Sequence, residues 1–137
     1  MANSTTLVTL PDGRRAVKVT EAKTLAAKDN GVVQNVAVDA LTITLPATVV
    51  GYCYTIRNAG VAKTSAPTGT GDNKSCLVTI QPNSSDYIAG MEMTASDNKA
   101  LLNTKLTANV GDEVTLIADG ANGWFIERIK GIWAQGS

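Results

Sequence analysis

The chain has 137 residues, a length typical of one domain, and carries 12 basic and 12 acidic side chains for a formal net charge of zero. A neutral chain without long runs of one charge offers no electrostatic footprint for nucleic acid or an anionic membrane. No apolar run approaches the roughly 20 residues of a spanning helix, and the N-terminus lacks the pattern of a signal peptide. We therefore expect a soluble protein made in a cytoplasm, with no nucleic-acid or membrane partner.

The composition predicts a thin hydrophobic core. The chain holds only one phenylalanine, two tryptophans and three tyrosines. Its core must therefore be built mainly from valine, isoleucine, leucine and alanine, which bury less apolar area per residue than aromatic side chains do. Such a chain would gain stability from a partner's surface, so we expect oligomerisation.

Residues 1–22 predict an N-terminal arm or hairpin in front of the main domain, residues 23–137. Asp12-Gly13 lies between two alternating runs, 7–10 and 16–19, which is typical of a β-hairpin. An isolated two-stranded hairpin is marginal in water. We therefore expect this hairpin to dock on the main domain or on another chain, and to have Arg14 and Arg15 near its turn, where solvated side chains are the simpler interpretation.

The next segment predicts a short helix and a strand. Thr24 could cap one or two helical turns over 24–28, ended by Asp29-Asn30-Gly31. Leucine and isoleucine then alternate with threonine over 41–45 until Pro46, which lacks the N–H that a strand ladder needs.

Residues 52–58 and 76–81 alternate with a period of two, the mark of half-buried strands. Our working hypothesis pairs them as a hairpin, with Ile56 opposite Val78 and Tyr54 opposite Ile80. In that register Cys53 and Cys76 point apart and cannot meet the geometry of a disulfide. We expect both cysteines to be reduced, as is usual in a cytoplasm, although another register could bring them together.

The segment between these strands, 61–75, is small, polar and broken by proline and glycine, which predicts a surface loop. Gly69-Thr70-Gly71 lacks the strand, helix and lysine of a phosphate-binding loop. The candidate exposed positions of this loop are Lys63, Thr68, Asp72 and Lys74.

The C-terminal part predicts a hairpin. A turn at Asp97-Asn98 precedes Leu101, a strand covers 113–118, and a glycine-rich turn over 119–123 leads into a partner strand at 124–129. The alternation of the partner strand slips between Ile126 and Ile129, which indicates a β-bulge. Residues 131–133 could extend this strand, with Trp133 at a core edge or a subunit seam.

Catalytic patterns are scarce. The chain has no histidine, the commonest general base and transition-metal ligand. Ser84-Ser85-Asp86 is typical of a turn. An acid-only glycan hydrolase needs two carboxylates, and calcium would need several that converge in space. The candidates for catalysis are Asp72, Asp86, Asp112, Glu113 and Asp119, and the four aspartates among them are the candidates for calcium. We expect Asp112, Glu113 and Asp119, at strand ends, to be surface turn residues. We therefore expect no enzyme, no metal and no cofactor.

An ordered series of motifs resembles the β module of tailed-bacteriophage structural proteins, both head decoration (cement) proteins and fibre knobs. The series covers roughly residues 24–133 and combines turn glycines with strand residues. Its members are Leu45, Pro46, Gly51, Tyr54, Ile56, Asn58, Gly60, Val78, Ile80, Pro82, Asp86, Ile88, Gly90, Gly111, Val114, Leu116, Asp119, Gly120 and Trp124.

The resemblance implies an all-β fold, a small antiparallel β-sandwich or barrel of about eight strands, jelly-roll or β-tulip-like. It implies a homotrimer on the outer capsid surface of a virion, bound to the major capsid protein and stabilising the assembled lattice. The arm would then make the capsid contact, through Leu7, Leu10, Arg14, Arg15 and Val17. The alternative is a tail-fibre knob that binds a receptor or glycan through the 61–75 loop.

Overall fold

The computed structural model describes residues 3, 6–60, 76–91, 93–104, 107–120 and 122–136. Within these residues the protein is all-β, with twelve strands and one short 3₁₀ helix, Ala27–Asp29. The strands are β1 (Val8–Thr9), β2 (Arg15–Val19), β3 (Lys23–Thr24), β4 (Val32–Val36), β5 (Leu41–Thr44), β6 (Cys53–Asn58), β7 (Val78–Gln81), β8 (Tyr87–Ala89), β9 (Leu101–Asn103), β10 (Glu113–Ala118), β11 (Gly123–Lys130) and β12 (Ala134–Gln135).

These strands form two sheets that pack face to face as a β-sandwich. The seven-stranded sheet has the order β1-β2-β4-β6-β10-β11-β8, and the five-stranded sheet has the order β12-β9-β7-β5-β3. The predicted all-β sandwich is confirmed, and the described residues contain no closed barrel. The sheets are mixed rather than antiparallel, since five of the ten strand pairs between described residues are parallel. About eight strands were expected and twelve are observed among the described residues, partly because β3 and β12 are only two residues long.

The first half of the chain winds between the sheets like the coils of a β-helix. Strands β2, β4 and β6 lie parallel in one sheet, and β3, β5 and β7 lie parallel in the other. Parallel neighbours need a crossover connection, which here is the strand in the opposite sheet. The ladder continues past the strand ends, because Ala37 N–H donates to Val19 O at 3.0 Å and Ala59 N–H donates to Val36 O at 2.8 Å. The coils therefore stack with their apolar faces towards one shared core.

The hypothesis that 52–58 and 76–81 form a hairpin is wrong. Strand β6 lies between β4 and β10, whereas β7 lies in the other sheet between β5 and β9. Ile56 is accordingly opposite Val114, and Val78 is opposite Leu41. The alternation identified the inward faces correctly, since Ile56 and Val78 are fully buried, but it carries no information about which strand lies alongside. Cys53 and Cys76 form no disulfide with each other.

The N-terminal hairpin is confirmed, with Val8 opposite Ala16 in the β1–β2 pair. Strand β2 also pairs along its whole length with β4, and Val17 and Val19 are buried in the core. The boundary between 1–22 and 23–137 thus falls between consecutive strands of one sandwich. Deletion of residues 1–20 would remove a core strand, so a test of the arm requires point substitutions at exposed positions.

The helix predicted over 24–28 is replaced by the end of β3 and the 3₁₀ helix, so Thr24 is not its N-cap. The Asp29 carboxylate accepts a hydrogen bond from Ala26 N–H at 3.0 Å and lies 3.1 Å from Lys23 Nζ. A helix of one or two turns is too short to be stable alone, so these tertiary contacts decide the local conformation.

The C-terminal hairpin is confirmed, including its bulge. Thr115 pairs with Arg128 and Leu116 pairs with Ile126, which leaves Glu127 as the extra residue. Gly131 ends β11 with a φ of +92°, so the chain does not extend this strand but crosses to the five-stranded sheet. Trp133 is buried, as predicted for a core edge, and its Nε1–H donates to Lys130 O at 3.0 Å.

Candidate functional site

Four of the five carboxylates considered for acid catalysis lie among the described residues and make contacts within the fold, whereas Asp72 lies outside the described residues. Asp86 Oδ2 accepts from Thr48 N–H at 3.1 Å, and Asp119 accepts from Tyr87 OH at 2.5 Å and from Gly123 N–H at 3.2 Å. Glu113 forms an ion pair with Arg57 at 3.0 Å across β10 and β6. Within the described residues, no three acidic or cysteine side chains lie close enough to hold a metal ion.

A buried polar network joins the two sheets at one end of the sandwich. Asn58 Nδ2 donates to Cys76 O and to Asn103 Oδ1, both at 2.7 Å, while Asn58 Oδ1 accepts from Gly60 N–H at 3.2 Å. Asn103 Nδ2 then donates to Asp112 Oδ2 at 3.2 Å. Asn58 and Asn103 are fully buried and Asp112 is nearly so. Asp112 is therefore not the surface turn residue that the sequence predicted. We call Asn58, Asn103 and Asp112 the polar latch, because their hydrogen bonds connect the two sheets.

Sequence reasoning missed this network, although one signal was available. Asn58 continues the inward phase of Tyr54 and Ile56, so its amide must enter the core. A buried amide needs hydrogen-bond partners. Its partner Asn103 lies 45 residues away in sequence, so nothing local could identify it.

A second buried cluster surrounds Tyr54. Its hydroxyl donates to Ala26 O at 2.9 Å, and Lys23 Nζ nearby donates to Gln34 Oε1 at 2.7 Å and pairs with Asp29. Burial, with smaller contributions from Tyr52 and Asp29, raises the pKa of Tyr54 to about 12. The contacts are internal, and they connect β3 and β4 to the 3₁₀ helix.

The raised pKa of Tyr54 predicts a loss of stability in alkali. The folded value of about 12 exceeds the unfolded value of about 10, so the folded chain holds the phenolic proton more tightly. The stabilisation is complete below about pH 10 and is lost as the pH rises towards 12. We expect the free energy of unfolding in urea to fall between about pH 10 and about pH 11.5, and to fall less in Tyr54→Phe. An equal decrease in both proteins would contradict this assignment.

The residues predicted to contact a capsid differ in accessibility. Leu7 and Arg15 are exposed, whereas Leu10 and Arg14 are half-buried. Arg14 Nε pairs with Asp12 Oδ2 at 2.7 Å within the turn, which fits the simpler interpretation of a solvated turn residue. Val17 is buried in the core and cannot contact another chain without unfolding, so it is removed from the candidate contact residues.

The candidate residues of the loop, Lys63, Thr68, Asp72 and Lys74, lie outside the described residues.

The seven-stranded sheet carries an apolar patch on its outer face that the sequence analysis did not identify. Ile117 pairs directly with Phe125 on one side and with Cys53 on the other, and Phe125 pairs with Ala89. Ile117 is 37% exposed and Phe125 is 48% exposed. We call these four residues the outer-face patch. The signal was the phase of β11, in which Phe125 points away from the buried Trp124.

No protein-family model and no curated protein matches this sequence. Among the described residues, no helix is long and apolar enough to cross a membrane.

Proposed function

We propose that this chain is a structural protein of a tailed-bacteriophage virion, a decoration protein that binds the outside of the head. The observation that best supports this proposal is that the motif residues form the core of the fold. Tyr54, Ile56, Asn58, Val78 and Trp124 all build the core or its polar latch. A motif series whose residues stabilise the fold is expected of a structural protein that coats the surface of a virion.

The proposed mechanism is multivalent clamping. Three copies assembled as a homotrimer would each contact the major capsid protein where capsomers meet. Simultaneous engagement raises the effective concentration of the second and third contacts, so weak single contacts yield lasting attachment. A protein that binds only the assembled lattice stabilises that lattice by mass action.

The exposed part of the N-terminal hairpin is the proposed capsid contact. Leu7 and Val8 are 43% and 58% exposed, and β1 forms the edge of the sheet. Arg15 lies on the neighbouring strand, opposite Thr9. An exposed edge strand with apolar side chains offers both backbone hydrogen bonds and burial to a partner.

Reversing the charge at this hairpin is expected to weaken head binding. We expect Arg15→Glu to reduce the affinity for virions stripped of this chain by about tenfold, the effect of losing a charged contact worth about 1.4 kcal/mol. Co-sedimentation with stripped virions measures the affinity. Lys28→Glu is the matched control, because Lys28 is also exposed but lies at the 3₁₀ helix. Equal affinities of the two variants would exclude the hairpin as the contact.

Immunogold labelling of intact virions with antibody to this chain tests the function itself. Label distributed over the head is the expected result. Label confined to the tail tip would overturn the proposal and favour a receptor- or glycan-binding knob.

A further inference from the structure

The outer-face patch places large apolar side chains in water side by side. Ile117 and Phe125 are direct cross-strand neighbours, and both are substantially exposed. Single exposed apolar residues are ordinary on protein surfaces, but contiguous ones mark contact sites. Farther along the same face the Thr55–Thr115 hydroxyl pair is buried, and the Arg57–Glu113 ion pair lies beyond it. On β6, β10 and β11 the large exposed apolar side chains are therefore Ile117 and Phe125.

The β-bulge adds one charge of each sign to the border of this patch. Glu127 and Arg128 are consecutive and exposed, and within the described residues neither forms a salt bridge. Both act on the thiol of Cys53: burial raises its pKa, Glu127 raises it further, and Arg128 lowers it. The two charges thus lie close to the patch, and neither forms an ion pair with another described residue.

We propose that the outer-face patch is the surface through which copies of this chain bind one another, with Glu127 of one copy facing Arg128 of the next. A patch with an apolar centre and both charges is complementary to itself, whereas a border of one sign would suit a partner of opposite charge. In a closed ring, residues near the symmetry axis meet their own copies, so Ile117 and Phe125 would bury one another. This inference rests on the trimer of the proposed function and identifies its contact surface.

The first experiment measures self-association of the purified full chain by sedimentation equilibrium. Phe125→Asp and Ile117→Asp are each expected to raise the dissociation constant by about 30-fold or more, the effect of losing a residue at an interface centre. Ile132→Asp is the matched control, since Ile132 is 60% exposed but lies beyond the far end of β11. Circular dichroism of each variant establishes that the sheets are retained. A monomeric wild-type chain, or association that both patch variants leave unchanged, overturns the proposal.

The second experiment identifies the occupant by charge exchange. Glu127→Arg and Arg128→Glu should each associate more weakly than the wild type, because like charges then meet. A mixture of the two variants should associate at least about fivefold more tightly than either variant alone, since opposite charges then meet at two of the three contacts of a mixed trimer. A mixture that is no tighter than its components overturns the proposed pairing.

Failure of this inference can be told apart from failure of the proposed function. Self-association is measured without virions, and head labelling is measured without variants. If the patch variants remain oligomeric but no longer bind heads, the patch contacts the capsid and the copy–copy surface lies elsewhere. Label on the tail together with patch-dependent oligomers would overturn the decoration function alone.

Discussion

Replacement of Asn58 by alanine is expected to lower the free energy of unfolding by about 3–5 kcal/mol, measured by urea denaturation. The Asn58 side-chain amide is fully buried and donates hydrogen bonds to the main-chain oxygen of Cys76 and to the side-chain oxygen of Asn103. Removal of a buried partner costs the desolvation of each group left behind, about 1–3 kcal/mol apiece. Several such groups are affected together, so the effect exceeds that of a typical substitution.

Asn35→Ala provides the matched control for this prediction. Asn35 is also a strand asparagine, but it is only half-buried, and its Oδ1 has no partner among the described residues. Its replacement should change the free energy of unfolding by no more than about 1 kcal/mol. If Asn58→Ala lowers the free energy of unfolding as little as Asn35→Ala does, the polar latch contributes little to stability.

The second large effect is expected at Trp124. Trp124→Ala should destabilise the protein by about 3–5 kcal/mol, because truncation of a fully buried aromatic side chain leaves a cavity. The indole also packs against Tyr54, with ring centroids 5.5 Å apart. Aromatic side chains are few in this chain, so the loss of this one removes a large share of the aromatic surface in the core.

Trp124→Phe is expected to cost much less, about 1–2 kcal/mol. The indole Nε1–H of Trp124 is buried and has no hydrogen-bond partner within the described residues. Phenylalanine removes this unsatisfied donor, whose burial is unfavourable, and this gain offsets part of the lost volume. Urea denaturation of the two variants in parallel measures the difference. A phenylalanine variant as unstable as the alanine variant would show that Nε1–H is satisfied in solution.

Some features of the candidate surfaces could be predicted from the sequence, and others could not. The hairpin at Asp12-Gly13 could be identified because its turn chemistry is local. The pairing of this hairpin with the rest of the seven-stranded sheet could not be predicted. Strand β2 pairs with β4 only after the chain has formed a strand in the opposite sheet and returned. The outer-face patch likewise joins Cys53 to Ile117 across 64 positions, although the phase of Phe125 was visible in the sequence.

Local sequence patterns were enough to locate most strands and to identify which of their faces point inward. Period-two alternation and turn residues act within a few positions, so β10 and the bulge at Glu127 follow from local chemistry. Which strands are neighbours, by contrast, depends on contacts between residues far apart in the sequence. A buried face is satisfied equally by a parallel or an antiparallel partner in either sheet, so alternation could not separate β6 from β7. That choice depends on the closing of one core and on hydrogen bonds such as Asn58 to Asn103, which link residues distant along the chain.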